Sequence, residues 1–158
     1  MPAGEQVSPS AGGGSKRGGP RAQKEGSMHV IIDGYGGDPD QLADENVVRV
    51  ILDQYPAMMG MTKITQPTVI RYTGSKPEDW GVSGYVMIAE SHIAMHTFPE
   101  RRLIWADIFS CKDFDASQVI EDLKRRFRLR EMDVKMLERN LEPLTGLMEG
   151  AAAGPASR

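Results

Sequence analysis

Strand-like segments outnumber helical ones in this chain, and that imbalance is the strongest constraint on its fold. Two stretches repeat apolar residues at helical spacing, one following Asp38-Pro39 and closed by Pro56, the other beginning at Asp115. Strand-like bias recurs at residues 29–33, 62–72 (one bent strand or two short ones), 82–89, 93–98, 103–109 and 132–137. We therefore predict an α+β two-layer sandwich, with both helices on one face of a mainly antiparallel sheet. A second copy of the chain is the simplest cover for the other face.

The length and composition predict a single folded domain between two tails. The chain has 158 residues, of which 40% are hydrophobic and 26% charged, enough for one modest core. Residues 1–27 are rich in Gly, Ser, Pro and Ala without apolar periodicity, which predicts a disordered tail. The domain is expected to span residues 28–142, and residues 143–158 to form a loose C-terminal tail.

Charge and cysteine content exclude several classes of partner. The formal net charge of −3 argues against nucleic acid as the main partner. No apolar run approaches the roughly 20 residues of a membrane span, and the N-terminus has no apolar signal core, so we expect no membrane contact. The only cysteine, Cys111, has no partner for an internal disulfide. A reducing cytoplasm is the expected location.

One segment, residues 89–100, gathers most of the reactive side chains. An acid, a hydroxyl and two imidazoles lie there within strand-like sequence, namely Glu90, Ser91, His92 and His96. Cys111 follows eleven residues after the end of the segment. In an extended segment, side chains alternate between faces, so His96 is predicted to lie on the face opposite Ile93 and Met95. A second hydroxyl, Ser83, lies between two glycines that allow close approach of a backbone or ligand.

Simpler explanations compete for these residues. A zinc site from His92, His96 and Cys111 is chemically possible, but its spacing matches no common closed zinc arrangement. A serine hydrolase would need the glycine framing that the sequence around Ser91 lacks. The serine and the histidines could also be unrelated polar groups, and Cys111 a small buried hydrophobe. Three aromatic residues could equally belong to the core: Trp80, Phe98 and Trp105.

Four short motifs resemble one known family. They are Trp-Gly-Val-Ser-Gly at 80–84, Ile-Ala-Glu-Ser-His-Ile at 88–93, His-Thr-Phe-Pro-Glu at 96–100 and Asp-Ile-Phe-Ser-Cys at 107–111. With this gap-free spacing, they resemble the small bacterial and archaeal S-adenosylmethionine decarboxylase proenzymes, which are pyruvoyl-dependent.

The resemblance implies a chain that cleaves itself into a β chain and an α chain. Ser91 would attack the carbonyl of Glu90, and elimination from the resulting ester would leave a pyruvoyl group at residue 91. His96 carries over as the base in that elimination, and Ser83 as the group that steadies the cleavage intermediate. Cys111 carries over as the acid that protonates the substrate after CO2 leaves. The pyruvoyl group forms a Schiff base with the substrate, so no external cofactor or metal is implied.

The resemblance also implies a substrate, with one departure from the family pattern. Phe98 would pack at the adenine of S-adenosylmethionine, and Glu100 would bind the ribose hydroxyls. The family's second adenine-stacking aromatic falls at Pro77 here, and only an insertion in loop 73–80 lets Tyr72 take that part. The product would serve spermidine synthesis.

The departure in loop 73–80 leaves alternatives open. The substrate could be L-ornithine or L-arginine, whose distal cation would need an acidic partner such as Glu78, Asp79 or Glu100. The chain could instead be a non-enzymatic partner of an active subunit, although the full set of reactive residues argues against that. A homodimer of processed protomers is expected in the enzymatic case.

Overall fold

The structure, a computed structural model, describes residues 26–140. Its strands are β1 Gly26–Tyr35, β2 Thr68–Tyr72, β3 Gly81–Ile88, β4 Ser91–Phe98, β5 Leu103–Ser110 and β6 Glu131–Asn140. Its helices are α1 Pro39–Ala43, α2 Glu45–Met58 and α3 Ala116–Arg126. The predicted tails lie outside the described residues, apart from Gly26 and Ser27, which belong to β1.

The six strands form one sheet in which every neighbouring pair is antiparallel, in the order β2-β3-β4-β5-β1-β6. The register aligns the apolar positions of adjacent strands: Val30 lies opposite Ile108, and Ile108 lies opposite Ile93. Side chains at these positions point to one face because successive strand residues alternate. The predicted α+β fold with an antiparallel sheet is confirmed.

The helices cover that apolar face. A Cβ at Gly84 would lie 2.7 Å from the Leu52 side chain of α2, so the strand and the helix pack in direct contact. Thr97 donates a hydrogen bond of 2.7 Å to the carbonyl of Leu42 and ties α1 to β4. Both faces of this interface are apolar, and burial of each large side chain contributes roughly 1.5–3 kcal/mol. The core includes Val30, Ile32, Val48, Ile51, Leu52, Val86, Ile93, Met95, Ile108, Leu123 and Phe127.

The first predicted helix is two helices, and it does not close at Pro56. Asp44 adopts an extended backbone and accepts a hydrogen bond of 2.8 Å from the Asn46 N–H, so it ends α1 and caps α2. Pro56 lies inside the last turn of α2, which ends at Met58, so the helix continues two residues past its predicted end. Asp38 caps α1, because its carboxylate accepts a hydrogen bond of 3.0 Å from the Asp40 N–H.

The strands differ from prediction mainly at their ends. The predicted strand region 62–72 contains one short strand, β2, and before it an isolated bridge from Lys63 to Ile88 of β3, so the segment is strand only in its second half. Strand β4 begins at Ser91 rather than at residue 93, because Ser91 pairs with Ile88 across a two-residue turn.

The second face of the sheet has no covering element among residues 26–140. By register, it presents seven large side chains that are 39–58% exposed, namely Tyr35, Ile70, Tyr72, Tyr85, Met87, Trp105 and Leu137. We call this surface the open face. Within the described part of the chain, no helix has the length and apolar character needed to cross a membrane.

Candidate active site

The turn between β3 and β4 carries one group of reactive residues. Ala89 and Glu90 form the exposed turn, and Ser91 follows at the start of β4 with only 7% of its surface exposed. The Ser91 hydroxyl donates a hydrogen bond to the carbonyl of Phe109 on β5. The Cys111 thiol donates to the carbonyl of Glu90 at 3.2 Å. The fold therefore brings the Cys111 thiol to the carbonyl of the Glu90-Ser91 peptide bond, and the Ser91 hydroxyl is held by a carbonyl of β5.

A second group lies further along β4, on the open face. Ser83 and His96 are directly opposite each other in the β3–β4 register, and the Ser83 Oγ lies 2.9 Å from the His96 Nδ1. His96 is exposed, whereas Ile93 and Met95 are fully buried on the other face. The predicted facial separation within β4 is confirmed.

Within one chain, the two groups are apart. Ser91 and His96 are five positions apart along the strand, a distance of roughly 16 Å at 3.3 Å per residue. Their side chains also point to opposite faces of the sheet. The structure therefore does not bring His96 to Ser91, and no side chain is long enough to bridge the gap.

A cleft lies beyond the far end of β4. It has a volume of about 600 Å³ and is lined by Thr73, Pro77, Glu78, Trp80 and Glu100. The Trp80 indole N–H donates to the Glu100 carboxylate at 3.3 Å, and the Arg101 guanidinium pairs with Asp79. These contacts join loop 73–80 to the turn between β4 and β5.

Two of the predicted substrate-binding residues flank this cleft on the open face. Tyr72 lies opposite Gly81 at the end of β2 and is 58% exposed. Phe98 contacts Trp105 edge to face, with ring centroids 4.8 Å apart. A Cβ at Gly81 would lie 1.7 Å from the carbonyl oxygen of Thr97, so only glycine allows β3 and β4 to approach here. Neither Tyr72 nor Phe98 is among the residues that line the cleft.

Two alternatives from the sequence do not match the structure. Residues 26–140 contain no group of three acidic, histidine or cysteine side chains arranged to hold a metal ion, so the His92, His96 and Cys111 set is not assembled. Trp105 is 45% exposed on the open face and is not a core residue. Trp80, which the sequence offered as a core aromatic and as the first residue of the Trp-Gly-Val-Ser-Gly motif, is half-buried and lines the cleft.

The fold is shared with a solved enzyme. The crystal structure of the adenosylmethionine decarboxylase from Aquifex aeolicus superposes with a TM-score of 0.63 over 77% of this chain and 96% of that one, at 24% identity. The class defined by this comparison is a two-layer α+β fold built on one antiparallel sheet.

Sequence comparison gives the family. The S-adenosylmethionine decarboxylase family model matches residues 28–140. The chain is similar to three S-adenosylmethionine decarboxylase proenzymes. The one from Clostridium botulinum, strain Loch Maree, is 31% identical over 73% of this chain and 96% of the relative. Those from Pyrococcus furiosus (29% identity, 72% of this chain, 78% of the relative) and Archaeoglobus fulgidus (39%, 54% and 70%) are also similar. The chain belongs to the S-adenosylmethionine decarboxylase family, a family of carboxy-lyases.

Proposed function

We propose that this chain is a proenzyme that cleaves itself between Glu90 and Ser91 and then decarboxylates S-adenosylmethionine for polyamine synthesis. Family membership supports the reaction, since each of the relatives named above is an S-adenosylmethionine decarboxylase proenzyme. The observation that carries the proposal is the Cys111 thiol 3.2 Å from the Glu90 carbonyl, beside the Ser91 hydroxyl.

Self-cleavage needs no group from outside the chain except water. The Ser91 oxygen attacks the Glu90 carbonyl carbon, and the peptide C–N bond breaks to give an ester and a free amine on residue 91. Removal of the α-proton of residue 91 then expels the Glu90 carboxylate and leaves dehydroalanine. Hydrolysis with loss of ammonia converts dehydroalanine to the pyruvoyl group. The Cys111 thiol, as a donor to the carbonyl under attack, would stabilise the negative charge that develops on its oxygen.

The surroundings of Ser91 fit a pyruvoyl group at that position. Residue 91 is largely buried at the base of the turn, so a carbonyl formed there would be shielded from water. When formed, the pyruvoyl group would supply an electron sink for the bond that breaks as CO2 leaves. Cys111, next to residue 91, would hold the proton that replaces CO2 on the substrate carbon.

The Ser83–His96 pair would act on this bond from a second protomer. Ser91 and His96 lie roughly 16 Å apart within one chain, too far for proton transfer. An isologous dimer that buries the two open faces with antiparallel β4 strands would bring Ser83 and His96 of one protomer over the end of β4 that carries Glu90 and Ser91 in the other. The exposed apolar side chains of the open face supply the surface for such a dimer.

The same dimer would complete the substrate site. Phe98, at the end of β4, lies on the same face as His96 and, like Glu100 in the turn that follows, is roughly 23 Å or more along the chain from Ser91. A nucleoside held at Phe98, Tyr72 and Glu100 of one protomer would direct its amino acid end to residue 91 of the other. The amino acid alternatives gain no support, because Asp79 is already paired with Arg101 and the named relatives all decarboxylate S-adenosylmethionine by name.

The experiment combines intact mass with CO2 release. Purified protein is expected to show two chains of 90 and 68 residues, cut at Glu90-Ser91, and to release CO2 from S-adenosylmethionine but not from L-ornithine or L-arginine. Release from an amino acid alone would replace the substrate assignment. A single uncut chain without CO2 release would favour the non-enzymatic alternative. Sedimentation tests the dimer: Tyr85→Glu places a charge on the open face, and the variant should sediment as a monomer where the wild type sediments as a dimer.

A further inference from the structure

Trp80 occupies an unusual position in the cleft, because it contacts both the acid that lines the cleft and a cation outside it. Its indole N–H donates to the Glu100 carboxylate at 3.3 Å. On the other side, the Arg71 guanidinium lies 5.1 Å from the centre of the Trp80 ring, within the range of a cation–π contact.

Arg71 is itself held by the helical layer. Its Nε donates to the Glu45 carboxylate at 2.9 Å, and a terminal nitrogen donates to the Ala43 carbonyl at 2.8 Å. A continuous series of contacts therefore runs from the junction of α1 and α2, through Arg71 and Trp80, to Glu100. Because each member is fixed by the next, the indole has little freedom to turn away from the cleft.

We infer that Trp80 is the positioning residue of the substrate cleft, orienting the Glu100 carboxylate toward the ribose hydroxyls. The inference rests on the proposed function, which binds the nucleoside of S-adenosylmethionine at Glu100, one of the residues that line this cleft. Glu100 is exposed and lies on a turn, so its side chain would otherwise sample several rotamers. The indole is a donor only and occupies one acceptor site of the carboxylate, which leaves the others free for two hydroxyls.

The variant that isolates this role is Trp80→Phe, which keeps a ring beneath Arg71 and removes only the N–H donor. Binding is measured by calorimetry with 5′-methylthioadenosine and with its 2′,3′-dideoxy analogue, which lacks both hydroxyls. We expect the wild type to prefer the first ligand about tenfold and Trp80→Phe to prefer it about twofold, with affinity for the dideoxy analogue unchanged. Glu100→Gln should remove the preference, and Trp80→Phe should then add nothing.

Kinetics give an independent readout. Trp80→Phe should raise the KM for S-adenosylmethionine about fivefold and leave kcat unchanged, because an interaction made equally in the ground and transition states affects binding alone. Arg71→Lys, which keeps the charge but not the planar group, should shift KM in the same direction. Arg128→Lys is the matched control, since it alters an exposed ion pair with Asp38 and lines no part of the cleft.

The outcomes separate this inference from the proposed function. Equal weakening of both nucleosides in Trp80→Phe would indicate a merely structural role and overturn the inference, even if CO2 release is normal. If the wild type shows the hydroxyl preference and Trp80→Phe reduces it, but the wild type releases no CO2, the proposed function is overturned and the inference stands. A wild type with no preference between the two ligands would overturn the inference.

Discussion

The two ends of β4 differ in what surrounds them. At its first residue, Ser91 lies in a tight turn, largely buried, with the Cys111 thiol on the adjoining carbonyl. Toward its last residues, His96 is exposed on the open face and the Trp80–Glu100 contact borders a wide cleft. We propose that bond cleavage takes place at the first end and ligand binding at the other. Under that proposal, one eight-residue strand carries two half-sites that meet only across a dimer.

The largest effect on activity is expected at the end of β4 that begins with Ser91. Ser91→Ala removes the attacking hydroxyl, and we expect it to abolish both self-cleavage and CO2 release, measured by intact mass and by trapping of labelled CO2. Ser117→Ala, which removes an exposed hydroxyl at the start of α3, is the matched control and should behave as the wild type. CO2 release by Ser91→Ala would refute the pyruvoyl mechanism.

Cys111→Ala should separate cleavage from turnover. Without the thiol, the hydroxyl of Ser91 can still attack, so a measurable fraction of chains should be cut on a denaturing gel. Turnover per cut chain should fall by about a hundredfold, because the proton donor to the substrate carbon is lost. If turnover per cut chain equals that of the wild type, Cys111 does not hold that proton.

Mixing variants tests whether the two ends act across protomers. If the site is shared between protomers as proposed, His96→Ala and Cys111→Ala each damage every site of their own homodimers. A dimer with one copy of each would have one intact site, formed by Cys111 of the first chain and His96 of the second. Random pairing should therefore restore about a quarter of wild-type activity on co-expression. No recovery would place both half-sites in one chain.

The smallest effect on activity is expected away from both ends of β4. Asp122 in α3 is 8% exposed. Burial raises the pKa of its carboxyl, but the hydrogen bond and positive charge of Arg126 and a hydrogen bond from Arg125 lower that pKa by more. The net pKa is therefore below its usual value. A lowered pKa stabilises the fold above the unfolded-state value, and that contribution is lost as pH falls through the folded-state value.

Asp122→Asn should accordingly lower the free energy of unfolding by about 2 kcal/mol at pH 7, with the difference from wild type shrinking below about pH 4. Denaturant titrations at several pH values measure this. Self-cleavage should be unchanged at pH 7. Asp53→Asn, at an exposed ion pair with Lys63, is the control and should cost little. A constant difference at all pH values would exclude the charge as its cause.

Local pattern predicted what depends on alternation along one strand, and it failed where distant segments meet. The separation of His96 from Ile93 and Met95 follows from strand geometry alone. The Trp80–Glu100 and Cys111–Glu90 contacts join residues 20 and 21 positions apart, so they depend on register and turn shape. The break at Asp44 was missed because the apolar spacing continues through it. The helix is interrupted there because Asp44 has an extended backbone and its side chain caps α2.

The sheet order has a consequence for the two products of cleavage. A cut after Glu90 assigns β1, β2 and β3 to one polypeptide and β4, β5 and β6 to the other, and three of the five strand pairings then join different polypeptides. Strands of the two fragments are therefore interleaved within one sheet. They should copurify through every native step and separate only on denaturation, so the proposed cleavage would cut the backbone without dividing the molecule.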